Sequence, residues 1–283
     1  MLFLIGLSIV FGSVLYGYVM SHGNLLALWQ PFEILIIVGA AFGAFLISNP
    51  WHVVKHCFSL TPQIIMGSKV NKALHMDVLG LLYDILNKAR REGIMAIEAD
   101  VESPSSSALF SRYPAIQANE ELAHFIADYF RIIAAGNLTS FELEALMDQE
   151  IEARMHELET PANAVGRVAD ALPGFGIVAA VLGIVITMGA IDGEIAAIGA
   201  HVAAALVGTF MGVFLAYGIV GPVSAVLHHL AEEEIKLYEA VKSCVIASLN
   251  GLPPQLAVEF GRKSLFTRDR PTFTEVESKV RSR

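Results

Sequence analysis

The sequence predicts an all-α membrane protein with four transmembrane helices and a helical cytoplasmic domain between spans 2 and 3. Three observations support this fold class. The mean hydropathy is +0.57 and 54% of the residues are hydrophobic, which is too apolar for an ordinary soluble domain. The apolar residues cluster in four stretches. None of these stretches alternates in polarity as a β-barrel strand would, and a helix satisfies its own backbone hydrogen bonds in lipid.

The four stretches have about the length that a bilayer requires. They are 1–20, 32–50, 171–191 and 195–224, and the last carries no charged residue apart from the neutral-or-charged His201. Roughly 20 helical residues cross about 30 Å of hydrocarbon, so each stretch is predicted to be a span. The first lacks a basic leading segment and a small-residue cleavage site, which favours a retained helix over a signal peptide.

Positive charge predicts the orientation of the spans. Ten of the 19 Lys and Arg residues lie between Lys55 and Arg167 and nine between Lys236 and Arg283, whereas the connectors 21–31 and 192–194 have none. The positive-inside rule therefore places the long loop, the C-terminal tail and both termini in the cytoplasm.

The long loop has the periodicity of helices. Apolar residues recur at helical spacing over 73–83 before a predicted C-cap at Gly93, and a second helix is expected over 120–135. The run 139–142 reads as a capping box that opens a third, acidic helix, and Pro161 is expected to end it.

Four segments follow from this pass along the chain. They are a transmembrane hairpin 1–50, a cytoplasmic helical domain 51–169, a second transmembrane hairpin 170–224, and a cytoplasmic helix with a tail, 225–283. Within the last segment an amphipathic helix is expected through Lys242, then a break at 251–254, and a mobile end from about Arg268.

Small residues recur at four-residue spacing in three spans. Gly39 and Gly43 form such a pair in the second span, and further helix-packing positions are predicted in the third and fourth spans at Gly176, Gly183, Gly208 and Gly212. Small side chains let helix backbones approach closely in lipid. The ladders serve packing within one subunit or between subunits, and their number favours a homo-oligomer.

The middles of the spans lack any carboxylate. Spans three and four offer only Thr187, Thr209 and Tyr217 there, while Glu33 and His201 lie near the outer ends. A proton pathway usually contains a buried acid or histidine. If the chain handles ions, another chain must therefore supply the acid.

Several classes of function find no support in the sequence. The net charge of −9 argues against nucleic acid as a partner. No cofactor or metal site is predicted, and Cys57 and Cys244 are expected to be reduced. No nucleophile and base are arranged for catalysis, so no catalytic residue is predicted and the chain is not expected to be an enzyme.

Two prolines mark the inner ends of spans three and four. Pro173 suits the first position of a helix, and Pro222 is expected to kink the fourth span. Each is either structural punctuation or a conformational hinge between the membrane and the cytoplasmic domain.

Several runs resemble one known family over nearly the whole chain. These runs are 145–152, 172–180, 207–210, 215–218 and 258–263. They are similar to the A subunit of the bacterial flagellar stator, the MotA family, in its proton-driven type and including its lateral-flagellar version. The related energisers of outer-membrane transport have three spans and match less well.

The resemblance implies a pentamer of A chains in the bacterial inner membrane around two single-span B subunits of the MotB type. An aspartate of the B span would be the missing acid, and ion flow would turn the A ring against the rotor switch protein FliG. By resemblance, Arg90 and Glu98 occupy the rotor interface, and Pro173 and Pro222 the hinge.

The ion pathway is also implied by the resemblance. Thr209 matches the pore-facing threonine of the family, and Ala180 and Tyr217 are assigned to the same pathway. Sodium-driven relatives carry a threonine where Ala180 stands, so protons are expected as the coupling ion and Na⁺ is the less favoured alternative. A stand-alone channel or transporter and a structural scaffold are the competing functions.

Overall fold

The computed structural model describes residues 2–136, 138–189 and 195–281, and within these ranges every regular element is helical and no strand occurs. The predicted all-helical class is confirmed. The predicted outer turn with Asp192 and Glu194 lies outside the described residues.

The α-helices are α1 Leu2–Met20, α2 Leu25–Leu28, α3 Pro31–Ser48, α4 Trp51–Ser59, α5 Thr61–Met66, α6 Lys72–Glu92, α7 Glu98–Glu102, α8 Pro114–Gln117, α9 Glu120–Ala135, α10 Ser140–Gly189, α11 Ile195–Leu215, α12 Gly221–Leu249, α13 Pro254–Ser264 and α14 Phe273–Arg281. Short 3₁₀ helices cover Ile94–Ile97 and Phe110–Arg112, and a π-helical turn covers Ala216–Val220.

Four helical segments are long and apolar enough to cross a membrane, as predicted. They lie at Leu2–Met20 and Leu25–Ser48, within Ser140–Gly189, and within Ile198–Leu249. Helix α1 buries none of its residues, and Ile47 on α3 is 89% exposed. Exposing so much apolar surface to water costs about 25 cal/mol per Å², so lipid is the medium that suits these surfaces.

The chain divides into two compact units. Unit 1 consists of Met1–Gly67 and Glu157–Leu230, and unit 2 of Ser68–His156 and Ala231–Arg283. Each unit is therefore built from two separated pieces of sequence. Residues 51–67, 157–169 and 225–230 group with the apolar helices, so the unit boundaries fall outside the four spans.

The core of unit 1 joins three of its long helices. Ile37 and Ala41 of α3 are buried with Leu172 and Ala179 of α10, and Ala216 of the π-helical turn completes the cluster. These residues are small or aliphatic, and they bring α3 against α10 and α11.

The core of unit 2 centres on aromatic rings. The Phe125 ring of α9 packs edge-on against Tyr129 at 4.8 Å and against Tyr238 of α12 at 4.9 Å. Leu82 and Ile85 of α6 are fully buried in the same unit. Aromatic pairs at such spacings add to the stability gained by burying apolar area.

The local helix signals of unit 2 are confirmed. Gly93 and Gly136 follow the ends of α6 and α9 with φ values of 91° and 75°. At the start of α10, the Thr139 backbone N–H donates to Glu142 at 2.9 Å and the Glu142 N–H donates to the Thr139 hydroxyl at 3.3 Å. These caps satisfy backbone groups that a helix end leaves unpaired.

Two proline predictions are wrong. Pro161 does not end the acidic helix and Pro173 is not a first-turn residue, because both lie inside the 50-residue helix α10. A proline in a helix interior costs about 3 kcal/mol through a lost hydrogen bond and a clash. Packing on both sides offsets that cost here, since Ala162, Ala164 and Leu172 are buried within unit 1.

The expectation of a mobile tail is also wrong for residues 268–281. Helix α14 starts with a capping box in which the Thr272 N–H donates to Glu275 at 2.6 Å. Lys72 pairs with Glu275 at 2.7 Å and Lys279 with Asp77 at 2.5 Å, which tie α14 to α6 within unit 2. The residues that order the tail, Lys72 and Asp77, lie about 200 positions away in the chain. Rules based on neighbouring residues cannot predict such contacts.

Candidate functional site

The third and fourth spans pack backbone to backbone through small residues. A β-carbon built on Gly176 would lie 3.0 Å from the Gly208 carbonyl oxygen, and one on Gly183 would lie 3.0 Å from the Ala205 Cβ. One on Gly212 would lie 2.9 Å from the Gly176 Cα. We call these five residues the α10–α11 seam. Because residue numbers fall along α11 as they rise along α10, the two helices run antiparallel.

The glycine pair of the second span behaves differently. At Gly39 and Gly43 an added β-carbon would meet nothing within 4 Å in the described part of the chain. These two glycines are therefore not used for close packing within this chain, whereas those of the α10–α11 seam are.

Two of the three residues assigned to the ion pathway, Ala180 and Thr209, lie beside the seam, and the third, Tyr217, lies in the π-helical turn. Ala180 and Thr209 are half-buried, and Tyr217 is 73% exposed. Thr187 donates its hydroxyl to the Gly183 carbonyl at 2.8 Å. In contrast, the Thr209 hydroxyl makes no hydrogen bond to any described residue. Its oxygen and proton are therefore open to a group outside this chain.

Pro222 follows the π-helical turn. The Gly221 N–H donates to the Ala216 carbonyl, a bond that spans five residues, and Pro222 itself is exposed. Because proline has no N–H to continue the ladder, the wider turn accommodates it without ending the helix. Nearby, the Ser224 hydroxyl donates to the Ala162 carbonyl of α10 at 2.8 Å, which holds this part of α12 in unit 1.

The residues assigned to the rotor interface lie in unit 2. Arg90 is exposed in the last turn of α6, and Glu98 is exposed in the first turn of α7. Each charge has the sign that the helix dipole favours at its end. Beside Arg90 a groove of about 350 Å³ is lined mainly by apolar side chains, including Ile94, Phe130 and Leu252. The arrangement presents fixed surface charge next to an apolar recess.

An acidic residue that sequence reasoning missed anchors this region. Asp100 is buried, and it accepts hydrogen bonds from Lys88 at 2.7 Å and from Ser107 at 2.6 Å. Burial raises the pKa of its carboxyl, but these bonds outweigh burial and hold the pKa below its usual range. The nearby Lys88 and the Ser-rich turn are the only sequence signals that could have indicated it.

Five further side chains carry buried polar atoms with no partner among the described residues: Glu33, His75, Arg154, His201 and Tyr238. His75 lies in unit 2, where burial lowers the pKa of its ring. Glu33 and His201 lie in unit 1. No group of three or more His, Cys, Asp and Glu side chains that could hold a metal ion occurs in the described ranges.

Known families and proteins match this chain over nearly its full length. Residues 4–93 match the family described as Motility protein A N-terminal, and residues 117–240 match the MotA/TolQ/ExbB proton channel family. The chain is 45% identical to Motility protein A of Salmonella typhimurium over 282 residues, covering 100% of this chain and 96% of the relative. It is 41% identical to the Chemotaxis protein LafT of Vibrio parahaemolyticus, covering 96% of each.

The fold also matches a solved structure. A structure of C. jejuni MotAB superposes with a TM-score of 0.76 at 19% identity, covering 95% of this chain and 98% of that one. At that identity the likeness shows the fold alone. The sequence matches carry the classification, because they span both hairpins and the polar region between them. The chain belongs to the motility protein A family.

Proposed function

We propose that this chain is the A subunit of a proton-driven flagellar stator in the bacterial inner membrane. The observation that carries the proposal is the Thr209 hydroxyl, which has no described partner and lies beside the α10–α11 seam on helices whose middles carry no acid. Family membership supports it, since residues 117–240 match a proton channel family. The first partner follows from the acid that α10 and α11 lack, and the coupling ion follows from the side-chain oxygens that they carry.

The missing acid defines the first partner. Between Asp170 and the end of α10, and along α11, the described residues include no Asp or Glu. A single-span B subunit of the MotB type would supply an aspartate that contacts α10 and α11 near Thr209. The Thr209 hydroxyl would then donate a hydrogen bond to the ionised carboxylate, which lowers the cost of keeping a charge in an apolar setting.

The coupling ion follows from the ligands at the seam. A desolvated Na⁺ needs several oxygen ligands, whereas Ala180 contributes no side-chain oxygen beside Thr209. A proton needs only an acid and water. Each proton that crosses 100 mV releases about 2.3 kcal/mol, and neutralising the partner's aspartate would let the A ring move past it.

The second partner is the rotor switch protein FliG. Arg90 and Glu98 are exposed charges at two helix ends in unit 2, which the positive-inside rule places in the cytoplasm together with both termini. Exposed ion pairs contribute only about 0–1 kcal/mol each. Contacts of that strength suit an interface that forms and breaks at each step.

The A ring is proposed to be a homopentamer surrounded by lipid. Its support is the unused close-packing capacity of Gly39 and Gly43, together with the large exposed apolar surface of α1 and α3. A pentamer would hide part of that surface between subunits, and lipid would cover the remainder.

Complementation tests the proposal. The chain and its B subunit are expressed in a bacterium whose own A subunit has been deleted, and swimming is recorded. We expect swimming to be restored by the native chain and by Ser13→Ala, a hydroxyl removed from exposed α1. We expect Thr209→Val to lose most of the speed at normal membrane levels. Absence of swimming with the native chain and a partner that co-purifies with it would refute the stator function.

The second candidate function is an energiser of outer-membrane transport. The match of residues 117–240 to a family that includes TolQ and ExbB favours it. The match of residues 4–93 to the motility protein A N-terminal family counts against it, because that region contains spans one and two. Restored swimming distinguishes the two functions.

A further inference from the structure

Two ionisable side chains in the spans have buried polar atoms that no described residue satisfies. Glu33 Oε2 and His201 Nδ1 are both buried and lack a hydrogen-bond partner in the described part of the chain. Burying such a group without a partner destabilises the protein, so it is retained only where water, a proton or a partner meets it. Ionisable residues within membrane spans commonly mark ion pathways.

The helix geometry places His201 one turn beyond the α10–α11 seam. Gly176 lies opposite Gly212, and Gly183 lies opposite Ala205. The two helices are antiparallel, so moving forward along α10 corresponds to moving backward along α11. Thr187 lies one turn after Gly183 on α10, and His201 lies one turn before Ala205 on α11. Thr187 is 7% exposed. His201 therefore continues the packed face of α11 beyond its last close contact.

Glu33 extends the facing side of α3 in the same way. It lies four residues before Ile37 and eight before Ala41, which are 0% and 2% exposed and pack in the cluster that includes Leu172 and Ala179 of α10. Residues four apart share one face of a helix. Glu33 is therefore one turn beyond Ile37 on the face that α3 turns toward α10 and α11.

Few other ionisable groups share this end of unit 1. Helices α1 and α2 carry no charged residue, and the last five turns of α10 carry none. His22 lies exposed in the turn between α1 and α2. Asp192 and Glu194 belong to the connection outside the described residues. Glu33 and His201 are thus the carboxyl and the imidazole of the described spans at this end, where α1 also carries the phenols of Tyr16 and Tyr18.

We propose that Glu33 and His201 form a proton-uptake site at the outer end of the α3–α10–α11 bundle. The inference rests on the proposed function, which makes this end the outer one. A hydronium ion donates a proton to the Glu33 carboxylate, leaving water and the neutral acid. The acid passes the proton on toward the carboxylate of the partner chain and is regenerated as the carboxylate. The His201 imidazole acts as a second proton acceptor at the same end of the bundle, since a ring nitrogen can take up a proton and release it again.

The test measures swimming speed against external pH in cells that depend on this chain and its B subunit. If uptake limits speed, Glu33→Gln should swim several-fold slower than the native chain at about pH 8 and recover toward it at about pH 6. His201→Gln should shift in the same direction by less. Glu33→Asp should restore the native profile because it keeps an acid. Ser48→Ala, at the other end of α3, should leave the profile unchanged.

Membrane level and co-purification of the B subunit are measured for every variant. A Glu33→Gln protein that assembles normally and matches the native chain at every external pH would overturn the site. So would a uniform loss of speed that acidification does not reverse, because that indicates a structural role. If the native chain drives no swimming, the proposed function fails instead, and the two failures are distinguished.

Discussion

Gly212 lies so close to Gly176 that a β-carbon built on Gly212 would come within 2.9 Å of the Gly176 Cα and 2.7 Å of the Leu172 carbonyl oxygen. Real β-carbons do not approach backbone atoms this closely, so helices α10 and α11 depend on the absence of a side chain at this point. Van der Waals packing between backbones replaces the hydrophobic effect as the force that joins helices in lipid.

Gly212→Ala should therefore separate α10 from α11 and destabilise the protein by about 1–3 kcal/mol, since the clash is with backbone atoms that cannot rotate away. Gly174→Ala is the matched control, because an added β-carbon there meets nothing within 4 Å. Thermal unfolding of the two detergent-solubilised variants measures the difference. Equal stability of the two would contradict the packing described for the seam.

Reversing Arg90 should weaken torque and leave assembly intact. Arg90→Glu changes an exposed charge at the end of α6, so folding and membrane level are expected to match the native chain. Swimming speed should fall, with the B subunit still co-purifying. Glu144→Lys reverses an exposed charge elsewhere in unit 2 and serves as the control. Native swimming by the Arg90→Glu strain would remove Arg90 from the rotor interface.

Swimming should not depend on sodium. With the proton gradient held constant, replacing Na⁺ by K⁺ in the medium is expected to leave the speed of cells that use this chain unchanged, because Ala180 adds no oxygen ligand to that of Thr209. Tracking speed over a range of sodium concentrations provides the measurement. A strict sodium requirement would contradict the proposed proton coupling.

Asp100 should make unit 2 sensitive to acid. Its carboxyl has a lowered pKa in the folded protein, so its contribution to stability is complete above the ordinary carboxyl pKa of about 3.9 and is lost as the pH falls through the folded value. Asp100→Asn is expected to cost roughly 1–3 kcal/mol at pH 7, with the lower end favoured because Lys88 is partly exposed.

Thermal unfolding at pH 7 and below about pH 4 tests this role of Asp100. The gap between native protein and Asp100→Asn should narrow at the lower pH. Asp128→Asn removes an acid whose side chain is 53% exposed and should change little at either pH. A gap that stays constant with pH would show that the carboxylate charge is not what stabilises the site.

Local rules predicted most of the helices well. The expected helix over 120–135 matches α9, and the expected capping box at Thr139 is formed, because caps depend on residues within one turn of each other. The same rules wrongly predicted a helix end at Pro161 and a helix start at Pro173, because packing along α10 outweighs the local cost of a proline. Helix α14 was missed although Thr272 and Glu275 have capping-box spacing, because its docking partners Lys72 and Asp77 are distant in sequence.

The amino-acid sequence by itself determined that four apolar helices cross the membrane and that their middles lack an acid. Both conclusions come from the length and composition of runs of consecutive residues, with the length compared to the thickness of a bilayer. Neither requires knowledge of how the helices pack. Only the tertiary structure decided that Gly176 and Gly212 touch while Gly39 and Gly43 meet no neighbour in the described part of the chain, and that Glu33 and His201 each bury a polar atom without a described partner. These depend on the rotation and register of whole helices, which the combined packing of unit 1 sets and no single stretch of sequence contains.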